Sequence, residues 1–210
     1  MLIGDKMAKP KILIVFYSMT GNTAKLAKAV ADGAKDAGAE VRLKQVQELV
    51  PKENWNDVMK KVKEELKDIP TATNDDLVWA DGIAFGTPTR YGNMSSQLKQ
   101  FIDQTGGLWM KGALIGKVGT VFTSTSTQHG GQETTIITSL VPLLHHGMIL
   151  IGVPYSEQRL MQMEEIGGGS PYGASSVSGP MANRTPTEND LAIAKAQGKR
   201  LAETARKLMK

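Results

Sequence analysis

Apolar positions in this chain fall into two patterns, short solid runs and stripes spaced three or four residues apart. Residues 11–17 (KILIVFY) form a solid β-branched and aromatic run, as expected of a strand covered on both faces. Residues 23–37 follow with Leu26, Ala27, Val30 and Ala34 on one helical stripe, and Gly38 stands where a helix would stop. Residues 40–46 predict a second strand. Residues 54–67 predict a helix with Trp55, Val58, Met59, Val62 and Leu66 on its apolar face. A third strand is expected over 81–86, and a helix over 96–104 carries Leu98, Phe101 and Ile102. A fourth strand is expected over 117–123. The helix over 132–146 presents Ile136, Ile137, Leu140 and Leu144 and is expected to bend at Pro142. A fifth strand (148–153) precedes an irregular Gly/Ser/Pro-rich stretch, 154–186. Thr187 and Asp190 then form an N-cap pair for a last helix bearing Leu191, Ala194, Gly198, Leu201, Ala205 and Leu208.

Strands alternating with helices specify an α/β fold, a doubly wound parallel sheet with right-handed crossovers and helices on both faces. Five strands suit the order 2-1-3-4-5, in which ligands sit beyond the carboxyl ends of the strands at the switch point. The loops after strands one, three and four are therefore where chemistry is expected. One domain over residues 7–210 accounts for the pattern, with inserts at about 48–70 and 154–186. Residues 1–6, ahead of Met7, read as a leader or alternative start.

Composition narrows the chemistry. The 210 residues contain no cysteine, which removes disulfides, thiolate metal sites and thiol nucleophiles. Only His129, His145 and His146 supply imidazole, and two are adjacent, so no metal centre is expected. With 25 Lys+Arg against 21 Asp+Glu the net charge is +4, too weak and too scattered for a nucleic-acid binder. The longest apolar run, six residues, is far short of the ~20 a spanning helix needs. A soluble cytoplasmic protein is expected.

The loop after strand one reads Ser18-Met19-Thr20-Gly21-Asn22-Thr23. Hydroxyls, a glycine permitting positive φ and a helix start meet there, a combination that holds a phosphate through neutral donors and the helix dipole. Taken alone, the same residues also read as a strand–turn–helix joint rich in capping side chains. Neither the P-loop nor the dinucleotide glycine pattern is present at this position. After strand three, Thr89-Arg90-Tyr91-Gly92 makes a stiff loop whose backbone can approach a planar ligand, or simply a tight turn with an exposed arginine. After strand four, Ser124-Thr125-Ser126-Thr127-Gln128-His129 offers hydroxyl and amide donors, or a flexible polar loop.

S-x-T-G-N-T resembles the FMN-phosphate loop of flavodoxins. Further blocks follow in order: GTPTRYGNMS at 86–95, FIDQTGGLW at 101–109, GGQE at 130–133, HHGM at 145–148 and GGGSPYGAS at 167–175. Together they resemble the WrbA family of FMN-dependent NAD(P)H:quinone oxidoreductases, over nearly the whole chain. The resemblance implies a flavodoxin-like fold and a homotetramer. It also implies FMN held by residues 18–23, 89–92 and 124–129, with His145 reaching the flavin of a neighbouring subunit. Trp109 is implied to wall the substrate space above the flavin, and Thr20 to stand where the family has an aromatic residue that meets the nicotinamide. Arg90 and His145 are implied to tune the reduced flavin. The loop 124–129 is one residue longer than the family pattern, with Gln128-His129 in place of glycines.

The expected reaction is two-electron transfer from NAD(P)H to a quinone, both using one flavin face in ping-pong order. The rival reading is a flavodoxin-type electron carrier without quinone reductase turnover of its own. The basic charge and the two inserts weigh against that reading.

Overall fold

The computed structural model describes residues 8–209, and the expected leader, residues 1–6, lies outside the described residues. The strands are β1 (Lys11–Phe16), β2 (Glu40–Gln45), β3 (Gly82–Pro88), β4 (Val118–Thr125), β5 (Ile149–Leu150) and β6 (Ser175–Val177). The helices are α1 (Asn22–Asp36), α2 (Asp57–Glu65), α3 (Asn74–Trp79), α4 (Ser96–Asp103), α5 (Gly106–Met110), α6 (Gln132–His145) and α7 (Glu188–Leu208). Every strand pair is parallel, in the order β2-β1-β3-β4-β5, the order expected from the sequence.

The alternation of side chains along β1 divides the core into two layers. Ile12, Ile14 and Phe16 pack with α1, α7 and the inner side of α2. Leu13, Val15 and Tyr17 pack with α3, α4 and α6 on the other face. This is why β1 reads as solidly apolar: neither of its faces meets water. The first layer closes very tightly. A Cβ added to Gly33 would stand 1.8 Å from the Lys195 carbonyl oxygen, and one on Gly198 would stand 1.9 Å from that of Val30.

Four expectations need correction. The helix expected over 54–67 begins only at Asp57, because Asn56 accepts the Met59 amide and caps it there. Trp55 is therefore outside the helix, its indole bonded to the Val50 carbonyl, and Val58 is left exposed. Second, the chain forms two short helices that periodicity did not reveal. α3 starts from a complete Thr73–Asp76 capping box, and α5 carries Trp109. Third, β4 runs two residues beyond the expected end, to Thr125.

The fourth concerns the sheet edge, where the fifth position is shared by two short strands. β5 pairs with Val118 and Gly119, whereas β6 pairs with Thr123, Ser124 and Thr125 of the same strand. The chain leaves the edge at Val153, whose amide donates to the Pro171 carbonyl, and returns there after a long excursion. Gly152 permits this crossing, since a Cβ would stand 1.9 Å from the Pro171 oxygen. Residues expected to be irregular thus complete the sheet beside the fourth-strand loop. Thr187 and Asp190 form the expected capping box of α7.

Candidate functional site

The carboxyl ends of β1, β3 and β4 bring three loops together. The Thr23 and Ser124 hydroxyls lie 2.8 Å apart, and the Thr89 amide donates to the Ser124 carbonyl at 2.8 Å. Arg90 extends from the third-strand loop to Met19 of the first, Nη2 lying 3.6 Å from its Sδ, while Nη1 donates to the Thr89 carbonyl at 2.8 Å.

In the first loop the roles of the hydroxyls are divided. Ser18 Oγ accepts the amides of Gly21 at 3.1 Å and Ala24 at 3.2 Å, so its oxygen shapes the loop from within. Thr23 is buried against Ser124, and Asn22 donates to the Arg184 carbonyl at 3.0 Å. Met19 and Thr20 stay on the partly open rim. Gly21 occupies the N-cap with φ 96°, a conformation that L side chains rarely adopt, and no side chain caps the helix from that position. The first-turn amides of Asn22 and Thr23 have no intrahelical acceptor and stand at the positive end of the α1 dipole. A backbone cradle with no cation of its own suits a small dianion, so these residues fit the phosphate end of FMN.

The third-strand loop is a two-residue hairpin. Arg90 and Asn93 exchange both backbone hydrogen bonds, at 2.7 and 3.0 Å, around Tyr91 (φ 54°) and Gly92 (φ 77°). Positive φ at both central residues marks a type I′ turn, and the non-glycine Tyr91 holds it with its ring fully exposed. The start of α6 anchors this turn: Thr135 donates to Thr89 Oγ1 at 2.7 Å and Thr138 to the Gly92 carbonyl at 2.9 Å. An exposed aromatic ring on a braced turn is a surface made ready for a planar ligand.

In the fourth-strand loop, Ser124 and Thr125 are buried, whereas Ser126, Thr127, Gln128 and His129 are exposed. Gln128 and His129 line a cleft of about 370 Å³ with the start of α6 and Gly167–Ser170 of the insert. His145 and Trp109 are not brought to the three-loop junction within the chain. α6 begins beside the junction, and His145 is the last of its 14 residues, about 20 Å from its start at 1.5 Å per residue. At that far end, His145 and Trp109 line one depression of about 410 Å³ with Ile102, Asp103, Thr105, Val141 and Pro142.

Two parts of the site escaped the sequence reading. Behind the first loop, Glu48 accepts from Tyr17 Oη at 2.9 Å, Lys63 at 2.7 Å and Gln97 at 2.9 Å. Burial opposes its charge, but hydrogen bonds from Lys63, the Val50 amide and Gln97 outweigh it and hold the carboxyl down at about 2. Burial and the Glu48 charge in turn push the Tyr17 phenol up. Only the approach of β2, α2 and α4 makes this cluster, so no local motif announces it. The second missed part is the segment after β6, where Ser178 bonds Thr125 and Arg184 receives Asn22. Its Gly/Ser/Pro-rich composition gives a loop but not its position.

The chain is similar to known proteins over almost all its length. The family described as NADPH-dependent FMN reductase matches residues 10–156. An NAD(P)H dehydrogenase (quinone) of Aromatoleum aromaticum is 52% identical over 202 residues, covering 95% of this chain and 98% of that one. Another, of Trichlorobacter lovleyi, is 54% identical over 200 residues, covering 94% and 98%. Among solved structures, a flavodoxin-type, WrbA-like protein from Agrobacterium tumefaciens superposes with a TM-score of 0.68 at 22% identity. That likeness covers 96% of this chain and all of the other, and bears on the fold. With the flavodoxin-like strand order and the open helix start after β1, these matches show that the chain belongs to the NADPH-dependent FMN reductase family and is a relative of the NAD(P)H dehydrogenases (quinone).

Proposed function

We propose that this protein is an FMN-dependent NAD(P)H:quinone oxidoreductase. The observation that carries the reading is the glycine-opened start of α1, whose Asn22 and Thr23 amides have no intrahelical acceptor, at the junction of three strand-end loops. When bound, FMN supplies the two-electron hydride chemistry that links a nicotinamide to a quinone.

The protein's part is to hold, orient and exclude water. The amides of Met19, Thr20, Asn22 and Thr23 and the Thr20 hydroxyl take the phosphate, while Ser18 keeps the loop open by accepting the amides of Gly21 and Ala24. Ser124 to Thr127 face the ribityl chain. Thr89 to Gly92 line the isoalloxazine ring, and Arg90 supplies positive charge close to where reduction adds negative charge. Thr20, on the rim, meets the nicotinamide.

Trp109 and His145 complete the site from another copy of the chain, in a homotetramer. Their distance from the chain's own junction supports this arrangement, as does the apolar surface around them. Met110, Ile115, Val141 and Leu144 are respectively 82, 70, 47 and 59% exposed, a cost that a partner surface would remove. Nicotinamide and quinone then use one space in turn, walled by Trp109. Among the described residues no helix is long and apolar enough to cross a membrane. Dependence on NAD(P)H fits work in the cytoplasm.

Initial rates of NADH and NADPH oxidation, at several benzoquinone concentrations, test the proposal. FMN-dependent turnover with parallel reciprocal plots is expected. No FMN-dependent turnover with either nicotinamide would refute it and favour a carrier.

A further inference from the structure

His146, the neighbour of His145, lies inside the depression at the end of α6 and is buried. Its Nε2 is 2.8 Å from Thr105 Oγ1, and its Nδ1 is buried without a partner. These facts fix where the proton sits. The Thr105 hydroxyl has one hydrogen, directed at the Ile102 carbonyl 2.6 Å away, so Oγ1 can only accept from the imidazole. His146 therefore carries its hydrogen on Nε2, and Nδ1 is an unfilled acceptor. The helix C-terminus favours a charged ring, but burial and the adjacent His145 push its pKa down, keeping the ring neutral.

Thr105 is the residue before α5, and its carbonyl accepts the amides of Leu108 and Trp109 at 2.9 and 3.0 Å. The His146–Thr105 bond thus joins the end of α6, which presents His145, to the turn that carries Trp109. Gly106 and Gly107, at the start of α5, would meet no atom within 4 Å on their Cβ side and so add no packing there. A two-glycine turn without side-chain packing needs a fixed point.

We infer that His146 is a positioning residue: its hydrogen bond to Thr105 sets where Trp109 stands relative to His145, and so sets the width of the quinone space. The inference rests on the proposed role of Trp109 as wall of that space. A displacement of even ~1 Å at such a wall is felt in substrate handling.

The test uses the FMN-loaded oligomer. In His146→Leu the KM for benzoquinone is expected to rise about tenfold, while FMN content and subunit number stay at the wild-type level. His146→Gln, which keeps an amide donor, is expected to restore the wild-type KM. Thr105→Val, which removes the acceptor, is expected to reproduce the His146→Leu effect without adding to it in the double variant. In a Trp55→Phe, Trp79→Phe background, Trp109 emission is expected to shift in His146→Leu and not in His146→Gln. Should Trp109→Ala raise the benzoquinone KM while His146→Leu and Thr105→Val leave it and the emission unchanged, the wall stands and the inference falls. Should Trp109→Ala itself leave that KM unchanged, the wall is refuted and the inference with it.

Discussion

Gly21 shows how one residue joins fold to ligand. At φ 96° it opens α1 and leaves the first amides facing the junction. Gly21→Ala should cost about 1–2 kcal/mol through backbone strain alone, since its Cβ would meet nothing nearer than Val62 at 3.5 Å. FMN affinity should fall by roughly tenfold if about 1.4 kcal/mol of that strain is relieved by turning the amides away. Denaturant melts with and without FMN measure both effects. Glu48 acts through charge. Its folded-state pKa, about 2, lies below its usual 4.5, so the stability it confers is present at neutral pH and lost as pH falls from about 4.5 towards 2. Glu48→Gln should lower stability at neutral pH and flatten the acid limb of a stability–pH curve. An acid limb as steep as that of the wild type would show that the network carries no linked stability.

Among the elements, α1 and α7 make the closest contact, and Gly33 and Gly198 permit it. Gly33→Ala and Gly198→Ala should each destabilise the protein by about 1–3 kcal/mol or more, because backbone rather than a flexible side chain must move. Thermal and urea denaturation would read this directly. The same helices show what was legible beforehand. The 3/4 spacing of Leu26, Val30, Leu201 and Ala205 identifies both helices, but not that two glycines let their backbones touch. β1, α1, β2, α4, α6 and α7 were all predictable from their apolar spacing and caps. α3, α5 and β6 were not: five or six residues cannot display a helical period, and β6 is three residues whose strand character exists only beside Thr123–Thr125. At the site, the convergence of the first, third and fourth loops followed from the strand order. The Glu48 cluster and the Asn22–Arg184 contact did not, since their partners lie 49 and 162 residues away.

For the whole molecule, the proposed role of Trp109 and His145, both distant from the phosphate loop, leaves the site of a single chain incomplete. Val141→Glu and Leu144→Glu, on the exposed apolar end of α6, should dissociate the oligomer and cut quinone turnover by at least about tenfold, with FMN still bound by its phosphate. Light scattering coupled to size exclusion checks the mass, and an unaltered mass with normal turnover would contradict the shared site. The most direct measurement of the central claim compares FMN with riboflavin, which lacks the phosphate, in an equilibrium fluorescence titration. Two or more hydrogen bonds from the α1 amides to a dianion, at about 1.5–3 kcal/mol each, predict that FMN binds at least ~100-fold more tightly than riboflavin. Equal affinities for the two would contradict the account.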